Sequence, residues 1–298
     1  MAGRGTGSRS DDELRLAVQR QGRLTESTLT LLHAIGLEFE SYSQRLFSPC
    51  RNFPLSLLYV RDDDIPEYVA AGTVDIGIVG QNLVHEEAVN VVELLPLGFG
   101  YCSLVLAVPK DGPLNGPRDL EGGRVATSYP HSTKMYFAAH DVHDVEVIEL
   151  SGSVEVAPGL GLADAVVEIT ATGSSLVLND LRAVETILES QAALVANQDV
   201  LADPTKRAHL DRLLLRIKAV AAGRRYKYVM MNAPRHALPR VREVLPGLKE
   251  PTVIPLSDEG WVAVHAAVQE DTFWEVIEAL REAGASEILV SPIEKLVQ

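Results

Sequence analysis

The order of apolar segments along the chain restricts its fold more than any other feature of the sequence. Leu14 to Gln19, Leu55 to Val60 and Val74 to Val79 have the composition of buried strands. Thr25 can cap a helix that extends to about Ile35, and a second helix is predicted from about Ile65 to Ala71. Strands and helices that alternate in this way predict an α/β fold with buried parallel strands.

The alternation continues to residue 222 with different spacing. Strands are predicted near Val91 to Leu95, Cys102 to Val108, Arg124 to Thr127, Val145 to Leu150, Asp164 to Ile169, Glu185 to Leu188 and Ala192 to Ala196, with helices from about Ser132, Ser174 and Pro204. Leu97-Gly98-Phe99-Gly100 is predicted to act as a hinge, because glycine absorbs backbone changes at low steric cost. We expect a two-lobed α/β body with a cleft: a disordered head at 1–12, lobe I at 13–100 and 183–222, and lobe II at 101–182.

Residues 223–298 follow a different order of elements. The predicted elements are a strand at Tyr226 to Asn232, a helix at Pro234 to Leu245, strands at Thr252 to Leu256 and Trp261 to Val268, a helix at Thr272 to Ala283 and a strand at Glu287 to Val290. This βαββαβ order is that of a ferredoxin-like unit, and Gly223-Arg224-Arg225 marks its boundary. Small domains of this kind commonly pair sheets or bind small effectors, and the fold alone does not decide between these roles.

Charge and cysteine content argue against several classes of function. The 298 residues have a formal net charge of -14, so a nonspecific nucleic-acid or anionic membrane surface would have to overcome long-range repulsion. The two cysteines, Cys50 and Cys102, lie far apart without metal-binding spacing. The first ten residues lack an apolar leader, and no run of about 18 apolar residues occurs. We expect a cytoplasmic protein that can still bind a small polyanion through arginines, backbone N–H groups and Mg²⁺.

The stretch from Gly161 to Leu176 has the strongest local signal for chemistry. Asp164 and Glu168 are predicted on one strand, at its buried middle and its carboxyl end, and Thr172-Gly173-Ser174-Ser175 follows at a helix start. N–H groups and hydroxyls of such a turn can hold phosphate, although a helix N-cap with a spare glycine is the commoner interpretation of the turn alone. Carboxylates repel phosphate but accept hydrogen bonds from ribose hydroxyls. Both features together indicate ribose 5-phosphate.

Further segments match the pattern of one family. Besides residues 164–181, they are residues 19–24, 60–66, 74–80, 126–131 and 152–158, which read QRQGRL, VRDDDIP, VDIGIVG, ATSYPH and GSVEVAP. From about Leu14 to Val297 the chain resembles the ATP phosphoribosyltransferase family in its long, self-regulated form. The resemblance implies a catalytic body like type II periplasmic binding proteins. It also implies the Mg²⁺-dependent transfer of the phosphoribosyl group of phosphoribosyl pyrophosphate (PRPP) to N1 of ATP, with inversion, at the first step of histidine biosynthesis. Ser175 and Asp180 depart from the family's usual Thr and Gly.

Residue types and the resemblance together select candidate site residues. The expected catalytic residues are Arg20, Arg23 and Asp75, and the expected substrate-binding residues are Gln21, Gly22, Tyr129, Glu155, Asp164, Glu168, Thr172, Gly173, Ser174 and Ser175. No metal ligands are assigned. The two arginines suit phosphate oxygens, and a solvated turn is their alternative.

The other candidates have alternatives of the same structural kind. Asp75 can position a nucleotide or Mg²⁺, or it can cap the end of its strand. Tyr129 can pack on adenine or ribose, or belong to an ordinary turn. Glu155 can recognise ribose or stabilise a helix start, and the run Asp62-Asp63-Asp64 is interpreted as a charged helix start.

Two functions of a different class are weighed against the enzyme. A small-ligand binding protein with the same two-lobed body would normally be exported, and the sequence shows no leader segment. A catalytically inactive regulatory subunit should have lost the phosphate turn, whereas residues 172–175 keep it. Both observations favour the enzyme.

In the long-form family the last domain is the histidine receptor, so the resemblance implies feedback inhibition by histidine. The expected effector pocket contains Asn232, Leu248, Thr252 and Ala267, and Asn232 takes a place where a relative of the family uses Asp. The alternative is a purely structural dimerisation domain. The resemblance also implies homo-oligomers between dimer and hexamer, and AMP is considered as a further ligand.

Overall fold

The computed structural model describes residues 12–40, 46–245, 247–248 and 250–297. Nearly all of the predicted disordered head, residues 1–12, lies outside these ranges. The chain divides into two compact units: one ends at Leu210, and the other begins at Asp211 and also includes Ala34–Gly36. Among the described residues, no helix is long and apolar enough to cross a membrane.

The first unit contains eleven labelled strands and most of the helices. Its strands are β1 Leu14–Gln19, β2 Phe47–Pro49, β3 Leu55–Val60, β4 Ile76–Gly80, β5 Val92–Pro96, β6 Cys102–Pro109, β7 Arg124–Thr127, β8 Glu146–Glu149, β9 Ala165–Thr170, β10 Leu181–Ser190 and β11 Ala192–Ala196. Its helices are α1 Thr25–Ala34, α2 Asp64–Ala70, α3 Gln81–Glu87, α4 Pro130–Ala139, α5 Ser174–Leu178, α6 Gln198–Ala202 and the start of α7 Pro204–Arg225. Short 3-10 turns occur at Pro117–Leu120 and Val154–Val156.

The first sheet has the strand order β2-β3-β1-β4-β11-β5. β1 is parallel to β3 and β4, whereas β4 is antiparallel to β11. The predicted buried strand at 74–79 is therefore parallel to one neighbour only. Apolar side chains of β1, β4 and β11 are almost completely shielded from solvent, which explains why these strands read as continuous apolar runs.

The second sheet has the strand order β10-β6-β9-β7-β8. β6 is antiparallel to β10 and β9, and β7 is parallel to β9 and β8. Because β10 remains in this sheet up to Ser190, the predicted return of the chain to lobe I at residue 183 is wrong. The chain returns at Gln191, directly before β11 of the first sheet.

Two neighbouring segments of the chain connect the two sheets. Residues 97–101 lead from β5 to β6, and Gln191 leads from β10 to β11. Phe99 O accepts a hydrogen bond of 2.9 Å from Ala192 N, and Ala192 O accepts one of 2.9 Å from Leu97 N. Gly98 and Gly100 adopt positive φ angles of 74° and 68°. The predicted hinge segment is thus one of the two connections between the lobes, and its motion stays a prediction.

The second unit confirms the ferredoxin-like prediction. Its elements after α7 are β12 Tyr226–Pro234, a 3-10 turn Arg235–Ala237, α8 Leu238–Val244, β13 Thr252–Pro255, β14 Trp261–Gln269, α9 Glu270–Glu282 and β15 Ser286–Pro292. The sheet order is β13-β14-β12-β15 with antiparallel neighbours. Val229, Met231, Val262, Val264 and Phe273 belong to its buried core. The predicted boundary at residue 223 falls inside α7, and the unit begins earlier, at Asp211.

Candidate functional site

A cavity of about 240 Å³ lies between the two sheets of the first unit. It is lined by Gln19, Arg23, Leu24, Asp62, Gly80, Asn82, Leu83, Tyr129, Glu168 and Ile169. Gln19 and Gly80 are the last residues of β1 and β4, and Glu168 lies near the end of β9. Open α/β sheets bind ligands at the carboxyl ends of their strands, and three strands direct their ends to this cavity.

Gln19 organises one side of the cavity from a buried position. Its Nε2 donates a hydrogen bond of 2.7 Å to Asp62 Oδ2, and its Oε1 accepts one of 2.8 Å from Leu24 N. Gly22 lies directly on this amide with a φ of +139°, and a Cβ at Gly22 would come within 2.2 Å of Gln19 Nε2. The glycine predicted as a substrate contact is therefore required by the packing of the turn itself.

The two predicted arginines flank this turn and are exposed, as are Gln21 and Gly22. Arg20 N donates to Val60 O at 2.8 Å, which fixes the turn to the end of β3. Arg23 Nη1 donates a hydrogen bond of 2.6 Å to Gly100 O, in the connection between the lobes. Arg23 thus lines the cavity and also contacts the connecting segment.

Tyr129 and Glu168 form the opposite wall. Burial is the main cause that raises the pKa of the Tyr129 phenol, and the nearby carboxylate of Glu168 adds to it. Burial also raises the pKa of Glu168 above its ordinary value of 4.5. The Ile169 N–H donates a hydrogen bond of 2.8 Å to Glu168 Oε1, which lowers the pKa and offsets part of this effect. The charge of Glu155 raises it further, so the structure brings Glu155 within electrostatic reach of Glu168. A carboxyl and a phenol with raised pKa values that line one cavity are typical of a ligand-binding region.

Asp62 is the second carboxyl that lines the cavity. Burial is the largest cause that raises its pKa, and the neighbouring charge of Asp63 contributes. Asp63 occupies the N-cap position of α2 without a capping hydrogen bond from its side chain to any described residue. The acidic run does stand at a helix start, as predicted, but Asp62 faces Gln19 and the cavity.

The predicted phosphate turn follows β9 directly. Gly173 has a φ of +76° and occupies the N-cap position of α5, and its N–H donates to Thr170 Oγ1 at 2.7 Å. Thr172 Oγ1 and Ser174 Oγ are 2.8 Å apart, and Thr172, Ser174 and Ser175 are exposed. Apart from Gly173 itself and its two neighbours in the chain, no described residue has an atom within 4 Å of a Cβ built at Gly173. The space on that side of the turn is therefore open.

Asp164 and Asp75 are not brought to the cavity. Asp164 precedes β9 instead of lying in its middle, and its carboxylate accepts hydrogen bonds from Arg124 N at 2.8 Å and Arg124 Nη2 at 3.4 Å. Asp75 precedes β4 and accepts from Arg15 N at 2.7 Å and Lys206 Nζ at 2.9 Å. Both carboxylates lie at the amino ends of strands whose carboxyl ends reach the cavity. For Asp75, these contacts agree with the alternative interpretation, in which its carboxylate caps the end of its strand.

Sequence reasoning missed several cavity residues. Gln19 and Asp62 lie in the matched segments QRQGRL and VRDDDIP but received no role of their own. Asn82 lies on α3, a helix that the sequence did not predict, and its Oδ1 accepts a hydrogen bond of 2.9 Å from Ser190 Oγ. A second cavity of about 500 Å³ lies nearby, lined by Gln81, Tyr101, Cys102, Ser103, Ala171, Glu189, Ser190 and Gln191. Ala171 directly precedes the phosphate turn.

Three predicted effector residues share the open face of the second unit's sheet. β14 alternates, with Val262, Val264, Ala266 and Val268 buried and Ala263, His265 and Ala267 on the other face. Thr252 pairs with His265, Asn232 with Ala263, and Ala267 with Tyr228. Leu248 N donates to Ala267 O at 3.2 Å, so Leu248 adjoins the same strand. Asn232 Nδ2 donates to the carboxylate of Glu287.

Comparison with known proteins identifies one family along the chain. The family model described as ATP phosphoribosyltransferase matches residues 61–219, and the model described as HisG, C-terminal domain, matches residues 223–295. The ATP phosphoribosyltransferase of Cytophaga hutchinsonii is 46% identical over 96% of this chain and 99% of its own length. That of Phocaeicola vulgatus is 45% identical over 95% and 99%. A chain of the ATP phosphoribosyl transferase (HisG:HisZ) complex from Thermotoga maritima superposes with a TM-score of 0.60 at 30% identity, covering 69% of this chain and 98% of that one.

Proposed function

The chain belongs to the ATP phosphoribosyltransferase family, and we propose that the cavity between its two sheets is where ATP and PRPP react. As an ATP phosphoribosyltransferase it transfers the phosphoribosyl group of PRPP to ATP in the first step of histidine biosynthesis. Its fold is the expected one, a periplasmic-binding-protein-like body followed by a ferredoxin-like domain. The observation that supports the placement is the meeting of Glu168, Arg23 and Tyr129 at one cavity, with the phosphate turn directly after β9.

The reaction requires the two substrates to be held in line. N1 of adenine forms a bond to the anomeric carbon of PRPP while the bond from that carbon to pyrophosphate breaks, so no covalent protein nucleophile is needed. We assign the 5-phosphate to the turn at 172–175 and the ribose hydroxyls to Glu168, with Glu155 supporting. Arg20 and Arg23 neutralise charge on the departing pyrophosphate, and Tyr129 packs on adenine or ribose.

Members of this family use a metal, and we propose Mg²⁺. The described residues contain no group of three or more His, Cys, Asp or Glu side chains that could hold a metal ion. Mg²⁺ is commonly held by one or two carboxylates, waters and substrate phosphates rather than by a protein cage, and the two carboxylates at the cavity, Asp62 and Glu168, fit that pattern. When bound with pyrophosphate, the ion stabilises the charge on that leaving group.

An assay with ATP, PRPP and Mg²⁺ tests the assignment of the substrates and the metal. We expect phosphoribosyl-ATP and pyrophosphate to form in equal amounts, and a chelator in excess over the metal to stop both. A protein that binds ATP and PRPP without product would instead be a binding protein or an inactive regulatory subunit. Undiminished turnover with chelator would contradict the role of Mg²⁺.

We further propose that histidine inhibits the enzyme through the open sheet face of the second unit. The support is the placement of Thr252, Asn232 and Ala267 on that face, with Leu248 beside it. Exposed apolar residues there, including Ile254 and Leu289, suit pairing with a second copy in dimers or hexamers. We also propose that AMP is a further ligand and that the protein is located in the cytoplasm.

Inhibition curves of two matched variants test the effector site. Thr252→Phe enlarges a residue on the open sheet face, whereas Glu275→Phe enlarges an exposed residue on α9, on the helical side. We expect histidine to inhibit the parent and the Glu275→Phe enzyme equally, noncompetitively with PRPP, and the Thr252→Phe enzyme much less. Equal inhibition of all three proteins would place the effector elsewhere, and no inhibition of the parent would refute the regulation.

A further inference from the structure

The first turn of α4 is capped by a side chain from the other lobe. Tyr129 occupies the N-cap position, and its side chain makes no capping hydrogen bond with any part of the chain that the structure describes. Glu86 of α3 accepts hydrogen bonds from His131 N at 2.7 Å and from Ser132 N at 2.9 Å. Because Pro130 has no N–H, one carboxylate takes the first two donors of the helix. A negative charge at this end of α4 is favourable to the helix dipole.

A buried hydroxyl strengthens this contact. Ser132 is only 1% exposed, and its Oγ donates a hydrogen bond of 2.7 Å to Glu86 Oε2. His85 Nδ1 lies 3.0 Å from the same Oγ. Since the hydroxyl proton goes to the carboxylate, the Oγ accepts the N–H of His85. His85 thus donates to Ser132, which in turn donates to the charged carboxylate of Glu86. Hydrogen bonds to a charged group are stronger than those between neutral groups.

The contact lies directly behind the cavity. α3 joins β4 to β5 of the first sheet and begins with residues that line the cavity, Asn82 and Leu83. α4 joins β7 to β8 of the second sheet and is preceded by Tyr129 in the opposite wall. Tyr129 packs against apolar cores of both lobes. The spacing between α3 and α4 therefore sets the distance between two walls of the cavity.

We propose that Glu86 is a positioning residue for the phosphoribosyl transfer, because it caps α4 across the lobes and holds Tyr129 opposite Asn82. This inference rests on the proposed placement of the reaction in the cavity. Without the carboxylate the lobes separate more readily, and substrate binding has to supply the free energy that closes them. The apparent affinity falls by the fraction of molecules that remain closed, whereas turnover of the filled enzyme is preserved.

Steady-state kinetics of Glu86→Gln tests the proposal, because glutamine keeps the size but loses the charge and one acceptor. We expect KM for PRPP and ATP to rise about tenfold, the effect of losing a charge-assisted hydrogen bond, with kcat within about twofold of the parent. Glu87→Gln is the matched control, since it removes an exposed charge from the same helix end. Its KM values should equal those of the parent.

Ser132→Ala removes only the hydroxyl and decides the question if Glu86→Gln does not fold. Its KM values should rise by a smaller factor than those of Glu86→Gln. Relative to the parent, the KM values of the double variant should rise by less than the product of the two single-variant factors, because both changes remove the same contact. Parent KM values in the folded variants, a fall in kcat alone, or an equal rise in Glu87→Gln would overturn the proposal. Glu168→Gln, measured in parallel, distinguishes failure of the positioning role from failure of the proposed function. If Glu168→Gln retains parent activity, the placement of the reaction in the cavity is wrong. If Glu168→Gln loses activity while Glu86→Gln is unchanged, only the positioning role of Glu86 is wrong.

Discussion

At the scale of single residues, Gly22 controls how the turn beside the cavity packs against the Gln19 amide. An alanine at Gly22 would be strained by the φ of +139° and would displace the Gln19 amide that holds Asp62 and Leu24 N. We expect Gly22→Ala to lose about 1–3 kcal/mol of stability and to lower kcat/KM. Gly36→Ala is the control, since φ there is +78° and, apart from its two neighbours in the chain, no described residue has an atom within 4 Å of the added Cβ. Gly36→Ala should lose stability but keep kcat/KM at the parent value. If both variants lost the same amount of activity, the Gln19 amide would not be what couples the packing at Gly22 to activity.

Glu168 should make the unliganded protein less stable at neutral pH. Its pKa in the folded state is raised, chiefly by burial, so its stabilising contribution is complete below the unfolded value and is lost as pH rises through the folded value. Glu168→Gln lacks this titration. Urea unfolding from about pH 4 to about pH 8 should show the variant gaining stability relative to the parent as pH rises. A constant difference across this range, or the opposite trend, would show that burial does not control this carboxyl.

Asp75 should prove structural when its contributions to stability and activity are separated. Its side chain is 8% exposed and pairs with Lys206, which is 22% exposed, so Asp75→Asn leaves a mostly buried ammonium without its counter-charge. We expect a loss of about 2 kcal/mol in the free energy of unfolding, with KM and kcat near parent values. Thermal unfolding and steady-state kinetics on one preparation measure both. A large fall in kcat at parent stability would restore the catalytic interpretation.

At the scale of elements, the end of α5 explains one departure from the family pattern. Asp180 follows the C-cap residue Asn179 and has a φ of +54°, a conformation that glycine adopts without steric cost. Asp180→Gly should therefore be at least as stable as the parent, whereas Asp180→Ala should lose about 1 kcal/mol, because alanine lacks both the flexibility of glycine and a local hydrogen-bonding group. Thermal unfolding of the three proteins checks this order. An alanine variant more stable than the glycine variant would contradict it.

Element boundaries were predictable where local pattern and tertiary environment agree. β7 was predicted at its observed bounds, Arg124–Thr127, because its apolar residues are buried in a strand between two turns. β10 was predicted too short, since register shifts at Ala183/Glu185 and Thr186/Leu188 break the alternation that identifies a strand. α3 was missed because Gly80 provides no side-chain cap and the helix is short, so its stability comes from contacts that are distant in sequence.

The same limit applies to the site. The turn at 172–175 and the position of Glu168 at a strand end follow from local sequence, and both agree with the structure. Sequence spacing alone could not reveal that Asp164 is engaged by Arg124 or Asp75 by Lys206, because these partners are distant along the chain. The cap on α4 likewise joins Glu86 to Ser132 across the two lobes.

The whole molecule combines a two-lobed body with a separate small domain. The two sheets of the body share one chain that crosses at residues 97–101 and 191, so each sheet contributes strand ends to the cavity between them. This arrangement brings residues from distant segments of the chain to one cavity. The small domain has its own buried core and an open sheet face, which suits a regulatory role distinct from the chemistry.

The most direct test of the account compares two carboxylates from opposite ends of β9. Glu168→Gln changes a cavity residue, whereas Asp164→Asn changes the residue before the strand, where Arg124 engages it. We predict that kcat/KM for PRPP falls at least about tenfold in Glu168→Gln, as expected for a lost charge-assisted hydrogen bond, and stays near the parent value in Asp164→Asn. Parent activity in Glu168→Gln together with a loss in Asp164→Asn would contradict the placement of the reaction in this cavity.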